Sequence, residues 1–445
     1  MMPVSETGKG MMKKRLLFLV CFLLLLPAAV GAEDLIRKGE TLDLQRCIAI
    51  ALERHPSIQA AAGSVTAGES RVGQARSGFY PQLNGSAGYS RTNPTSTSGN
   101  SRTDPTNTSA GQSYNSYSSS ISLSQNIYDF GKTSTQVKIQ EFNRDSFRSD
   151  LDNVFIQVVF AVKQAYYGLL QARRNRDVSR EVVGQFQQHL EQAKAFFEVG
   201  TKPKFDVTKA DVDLSNAKLN LLKAENAFRL SLVTLNNTMG MPEAPDYEVV
   251  DQLPFQREKI DLEEATRKAY DRRPDLIAIA AKRKSLEQSI ELARKSYYPS
   301  ILGTASYGWG GSEFPLDQGW SFGAQVNVPL FNGFLTKYQV EEARANLDVL
   351  AANEALLRQT IYQDVKQAWL NLDEAADRIV TAELSVRQAT ENLDLANGRY
   401  TSGVGSPIEV TDALVAVSNA KTAHISALYD YRLAQASLEK AAGEK

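Results

Sequence analysis

Two halves of this chain spell one pattern, and any fold it adopts must build that pattern twice. Residues 43–58, DLQRCIAIALERHPSI, reappear at 261–276 as DLEEATRKAYDRRPDL, and the same shift of 218 carries Phe79-Tyr80-Pro81 onto Tyr297-Tyr298-Pro299 and Tyr89 onto Tyr307. Further along the shift becomes 203. Tyr128 then falls on Phe331, Val162-Lys163-Gln164-Ala165 on Val365-Lys366-Gln367-Ala368, Phe197 on Tyr400, Gly200 on Gly403 and Gly240 on Gly443. The register slips only between Tyr89 and Tyr128, where the first copy carries extra polar residues. Two copies make a duplicated unit, not a solenoid, which needs three or more stacked repeats. The copies occupy 33–240 and 261–445, joined by a linker at 241–260.

Ahead of the first copy, Lys13-Lys14-Arg15, an apolar run from Leu16 to Leu26 and Val30-Gly31-Ala32 before Glu33 have the makeup of a secretory signal peptide over residues 1–32. Export is therefore expected, with Cys21 removed and Cys47 left without a partner for an internal disulfide. Cys47 reads as a small apolar residue on a helix face. Beyond the signal no apolar run approaches the roughly 18 residues of a membrane-spanning helix, so any crossing of a bilayer is made with strands. A net charge of -1 lacks the basic surplus that nucleic-acid phosphates require.

Each copy opens with a helical pattern, 43–78 and 261–296, ended by an aromatic pair and a proline. The period then changes to two. Leu83, Gly85, Ala87 and Tyr89 alternate with Gln82, Asn84, Ser86 and Ser90, and Tyr117, Ile121, Leu123 and Ile127 with a series of serines and Asn126. In the second copy Ile301, Gly303, Ala305, Tyr307 and Trp309 oppose Thr304, Ser306 and Gly308, and Trp320, Phe322, Ala324, Val326 and Val328 oppose Ser321, Gly323, Gln325 and Asn327. These are hairpins within 82–128 and 300–329. Strands of about 9 to 11 residues with one apolar and one small polar face, and aromatics near their ends, suit a transmembrane barrel. The polar stretch 91–116 and the shorter 310–319 suit solvated loops at the outer surface.

Long helical stretches follow, 133–197 and 336–400. Phe147, Leu151, Val154, Val158, Val162, Ala165 and Leu169 form one continuous seam in the first. Such a helix is close to 100 Å long at about 1.5 Å per residue. Shorter helices return at 204–239 and 407–442. Opening and returning helices stacked end to end would match the long one. Four strands cannot close a barrel, and barrels begin at about eight, so the chain must assemble with itself; a trimer, with twelve strands, leaves an aqueous lumen.

The duplicated order of helix, hairpin, long helix and returning helix, with the turn sequences FEVGTKPKFDV at 197–207 and YTSGVGSPIEVTDAL at 400–414, resembles the TolC-like outer-membrane efflux family. The resemblance covers essentially the whole mature chain. It implies a mixed α/β membrane protein: a homotrimer with a 12-stranded barrel in the outer membrane of a Gram-negative bacterium, continuous with a periplasmic α-helical barrel. It implies the exit duct of a tripartite efflux or type I secretion system, joined to an inner-membrane pump by a periplasmic adaptor. It also implies a gate at the helical turns, with Asp206, Tyr400, Glu409 and Asp412 at the constriction, and adaptor docking at Val199, Gly200, Thr201, Gly403, Val404, Gly405 and Ser406. Acids from three subunits would make a negative ring that favours cations. Gly405 stands where some relatives carry a basic residue that links the two turns.

Simpler roles compete at the same residues. Ser406-Pro407-Ile408-Glu409 reads as a capping box, which ranks ahead as the main role of Glu409; Asp412, a turn further in, is the sharper pore candidate. Gly200, Gly403 and Gly405 are explained by left-handed turn conformations. No catalytic constellation or cofactor motif is present, and His55, His189 and His424 lack the spacing of metal ligands. The main rival is a non-conducting periplasmic adaptor or coiled-coil scaffold, and a secreted hydrolase is a distant third.

Overall fold

The computed structural model describes residues 36–93, 113–251 and 255–444. The expected signal peptide and most of the polar loop 91–116 lie outside the described residues. Within them the same series of elements occurs twice. The first is α1 (Leu44–Arg54), α2 (Pro56–Arg76), β2 (Gln82–Thr92), β3 (Tyr114–Tyr128), α3 (Lys132–Glu198) and α4 (Lys204–Thr238). The second is α5 (Leu262–Arg272), α6 (Pro274–Lys295), β5 (Ser300–Gly311), β6 (Asp317–Asn327), α7 (Leu335–Thr401) and α8 (Pro407–Ala441). The short strands β1 (Thr41–Leu42) and β4 (Glu248–Val249) pair in parallel and tie the segment before α1 to the linker.

The opening helix of each copy is two helices, which corrects the continuous pattern expected at 43–78 and 261–296. His55 and Arg273 are extended, at ψ 124° and 123°, because a residue before proline is excluded from the α region. Pro56 and Pro274 then start the next helix, where proline's missing N–H costs nothing. The returning helix seats on this break. Gly240 and Gly443, at φ +74° and +79°, lie so close that a Cβ would stand 3.0 Å from backbone atoms of Arg54 and Arg273 respectively. Alanine at Gly443 is therefore expected to cost about 1–3 kcal/mol in thermal unfolding, combining left-handed strain with a backbone clash. Alanine at Gly200, where φ is +72° but nothing lies within 4 Å, costs only the strain, about 1–2 kcal/mol.

The long helices α3 and α7 each span 67 residues, and α4 and α8 each span 35. They form a layer: α3 packs on α2, α4, α6 and α8, and α7 on α5, α6 and α8. The α3 seam is buried from Val158 through Val162, Ala165 and Leu169, around which Cys47, Ile50, Leu235 and Met239 gather. Val365 and Leu372 hold the equivalent core of the second copy, with Ala269, Tyr431 and Leu438. A third core lies at the helical turns.

The sheet has the order β2-β3-β5-β6 with every pairing antiparallel, so its central pair joins one copy to the other. The register sorts the residues into two faces. Leu83, Leu123, Ala305 and Phe322 form one cross-strand row, and Gly85, Ile121, Tyr307 and Trp320 the next. On the opposite face run Asn84, Ser122, Ser306 and Ser321, then Ser86, Ser120, Gly308 and Gly319. Serine hydroxyls bond across the strands there, Ser86 to Ser120 at 2.9 Å and Ser306 to Ser321 at 2.8 Å. Among the described residues β2 and β6 each have a free edge.

Candidate gate and docking turns

The two helical turns come together at one end of the molecule. Phe186, Leu190 and Ala193 of α3, Ala210 and Leu214 of α4, Leu393 and Tyr400 of α7 and Leu414 and Val417 of α8 share a core, so all four helices meet there. Each turn needs its glycine. Gly200 and Gly403 take φ +72° and +81° and release the chain from the ends of α3 and α7. Gly405 does not follow the left-handed expectation: its φ is not positive, and glycine is required because a Cβ would stand 2.8 Å from the Tyr400 nitrogen. Gly405 is also buried, whereas Val199 and Val404 are 72% and 70% exposed, with Gly200, Thr201 and Gly403 exposed beside them and Ser406 half-buried.

The four acidic and aromatic candidates separate into different environments. Glu409 is on the surface and completes the capping box of α8, with Ser406 Oγ accepting from Ile408 N at 3.2 Å. Arg399 Nε donates to it at 3.1 Å, and this bond, followed by the Ser406 backbone N–H, holds its carboxyl below the usual range. Asp412 is exposed one turn further along α8 and has no such engagement. Asp206 is buried at the start of α4. Tyr400 is fully buried, and its hydroxyl has no hydrogen-bond partner. Burial, and then the charge of Asp206, raise the phenol's pKa. The structure thus brings Asp206 and Tyr400 together in the core and leaves Glu409 and Asp412 outside it.

The sequence marks the unlike turns Lys202-Pro203-Lys204 and Gly405-Ser406-Pro407 as the place of an asymmetric gate, but not the contact that Lys202 makes, nor the parts of Lys209, Asp213, Thr411 and His189. Lys202 reaches from the first turn to the second, where its Nζ donates to the Gly405 carbonyl at 3.4 Å and lies 5.2 Å from the Tyr400 ring centre. A basic link between the turns therefore exists, supplied by the other copy. Thr411 of α8 donates to Asp213 of α4 at 3.0 Å, and Lys209 donates to the same carboxylate at 2.6 Å. His189 of α3 is buried against Tyr400, with ring centres 5.2 Å apart. Its place on the seam, three residues after Phe186 and four before Ala193, was a usable sequence signal. Among the described residues no cluster of three or more metal-ligating side chains occurs, and no helix is long and apolar enough to cross a membrane.

Comparison with known proteins gives one family. The family model described as outer membrane efflux protein matches residues 47–241 and 265–444. Outer membrane protein TolC of Vibrio cholerae serotype O1 is 24% identical over 299 residues, 64% of this chain and 67% of that protein. Outer membrane protein OprJ of Pseudomonas aeruginosa is 30% identical over 207 residues, 44% of this chain and 41% of that protein, so the match spans less than half of OprJ. The crystal structure of the outer membrane protein VceC from Vibrio cholerae superposes with a TM-score of 0.76 at 18% identity, covering 90% of this chain and 96% of that one.

Proposed function

Because this chain belongs to the outer membrane efflux protein family, we propose that three copies close one passive export duct across the outer membrane, powered by partners. The observation that carries this reading is the sheet. One face carries the apolar rows through Leu83 and Gly85, interrupted by Ser119, Gln125 and Gln318, and the other is mostly serine, asparagine, threonine and glycine, as a wall between lipid and water requires. Its two free edges would leave backbone groups unpaired in lipid, and three copies joined edge to edge remove them. The helix layer supports the same closure. At one margin α4 exposes Val212, Leu219, Leu222, Leu230 and Val233, and at the other α7 exposes Val349, Leu356, Leu370, Val380 and Leu395. Matching apolar stripes on opposite margins suit the contact of one copy with the next.

The turns at the far end of the helices are the docking site for a periplasmic adaptor, through which the duct meets an inner-membrane pump. Val199, Phe205 and Val404 offer an exposed apolar surface for that contact. Asp412, exposed and unpaired, is the carboxylate free to face a narrow lumen; Glu409 is committed to its cap and to Arg399. Purified protein in planar bilayers tests the duct directly, and protein that inserts without conducting would refute it. Asp412→Asn is expected to weaken cation selectivity and block by multivalent cations, whereas Glu409→Gln shifts them less. Equal shifts for the two would contradict the assignment.

A further inference from the structure

The most buried polar site at the turns lies between the two copies and centres on a histidine. His189 is 4% exposed and its Nδ1 has no hydrogen-bond partner; the same holds for the hydroxyl of the adjoining Tyr400, at 0% exposure. Orphaned buried polar atoms are rare and costly, and two adjoin here. The groups facing the imidazole are Asp206, Lys209 and Asp213 from α4 and Tyr400 from the end of α7. Lys202 stands over the Tyr400 ring, and from α8 Thr411 holds Asp213. The imidazole therefore sits among the contacts that bind the first turn to the second.

We infer that His189 is a proton-operated positioning residue of the gate, which keeps the two turns together as the neutral imidazole and lets them part when protonated. This rests on the export-duct reading above. Parting α3 and α4 from α7 and α8 would expose His189 to water, where imidazole titrates near 6.5. In the packed arrangement burial disfavours the imidazolium more strongly than Asp213 and Asp206 favour it, so the proton is held less tightly than in water. Protons thus bind the parted state more tightly, and acid must shift the equilibrium toward it.

Planar-bilayer conductance between pH of about 7.5 and about 5.5 tests this, a window above the range in which exposed carboxylates take up protons. The wild-type channel is expected to open at least about fivefold more on acidification, the low end of a typical coupling. H189Q and H189N, two neutral replacements, are expected to be flat across the window. T411V, which removes the tie without a titrating group, is expected to show raised conductance already at neutral pH. An acid response that persists in either histidine variant overturns the inference, as does a wild type that conducts equally at every pH. Absence of conductance at every pH would instead overturn the export-duct reading. Assembly of each variant is checked by its mobility on unheated gels.

Discussion

Arginine at Phe322 is expected to abolish the membrane-inserted assembly, whereas arginine at the neighbouring Ser321 leaves it intact. Phe322 is at the middle of β6, 80% exposed in the single chain, and in one row with Leu83, Leu123 and Ala305. A lipid-facing arginine near the bilayer midplane costs about 2–4 kcal/mol, and a symmetric trimer carries it three times. Ser321 points to the other face, and its replacement forfeits the bond to Ser306, worth about 1 kcal/mol. Its larger effect is a positive charge in the lumen, which should lower cation conductance. Membrane fractionation and unheated gels read the first outcome, and bilayer currents the second. F322R trimers at the wild-type level would mean that the apolar rows do not face lipid.

Glutamates at Leu222 and Leu230 together are expected to leave the chain folded but unassembled. Both side chains lie on the unpartnered margin of α4, 61% and 59% exposed, while the α3 core that anchors this helix lies on its other side. Each leucine buried at a subunit contact contributes about 1.5–3 kcal/mol, and a glutamate there is left charged without a partner. Circular dichroism should stay helical while the particle falls to one chain. Trimers formed by the double variant would mean that this stripe faces solvent in the assembly.

Much of the fold was legible because its signals are periodic. The four strands alternate with few exceptions, among them Ser119, Gln125, Leu302 and Gln318, so their faces follow from the sequence; the α3 seam is buried from Val158 to Leu169 and half-buried at Phe147, Leu151 and Val154. The break at Pro56 and Pro274 was legible too, through proline and the residue before it, but the helical period on both sides masks it. The turns were harder. Gly405 reads as a left-handed glycine, yet it is required by contact with the end of its own helix, a constraint that only the packed turn reveals. Lys202, Asp213, Thr411 and His189 act across the two copies, through contacts about 200 residues apart in sequence, and side-chain contacts between copies leave no mark on local periodicity. The family match covers both copies and favours the export-channel reading over the scaffold and hydrolase alternatives.

With two free edges, this four-stranded sheet becomes a wall only in a closed ring of copies. Native mass spectrometry of the unheated, detergent-extracted protein measures that ring directly. Three chains per particle, falling to one on heating, is the predicted result; a single chain extracted from the outer membrane without heating would contradict it.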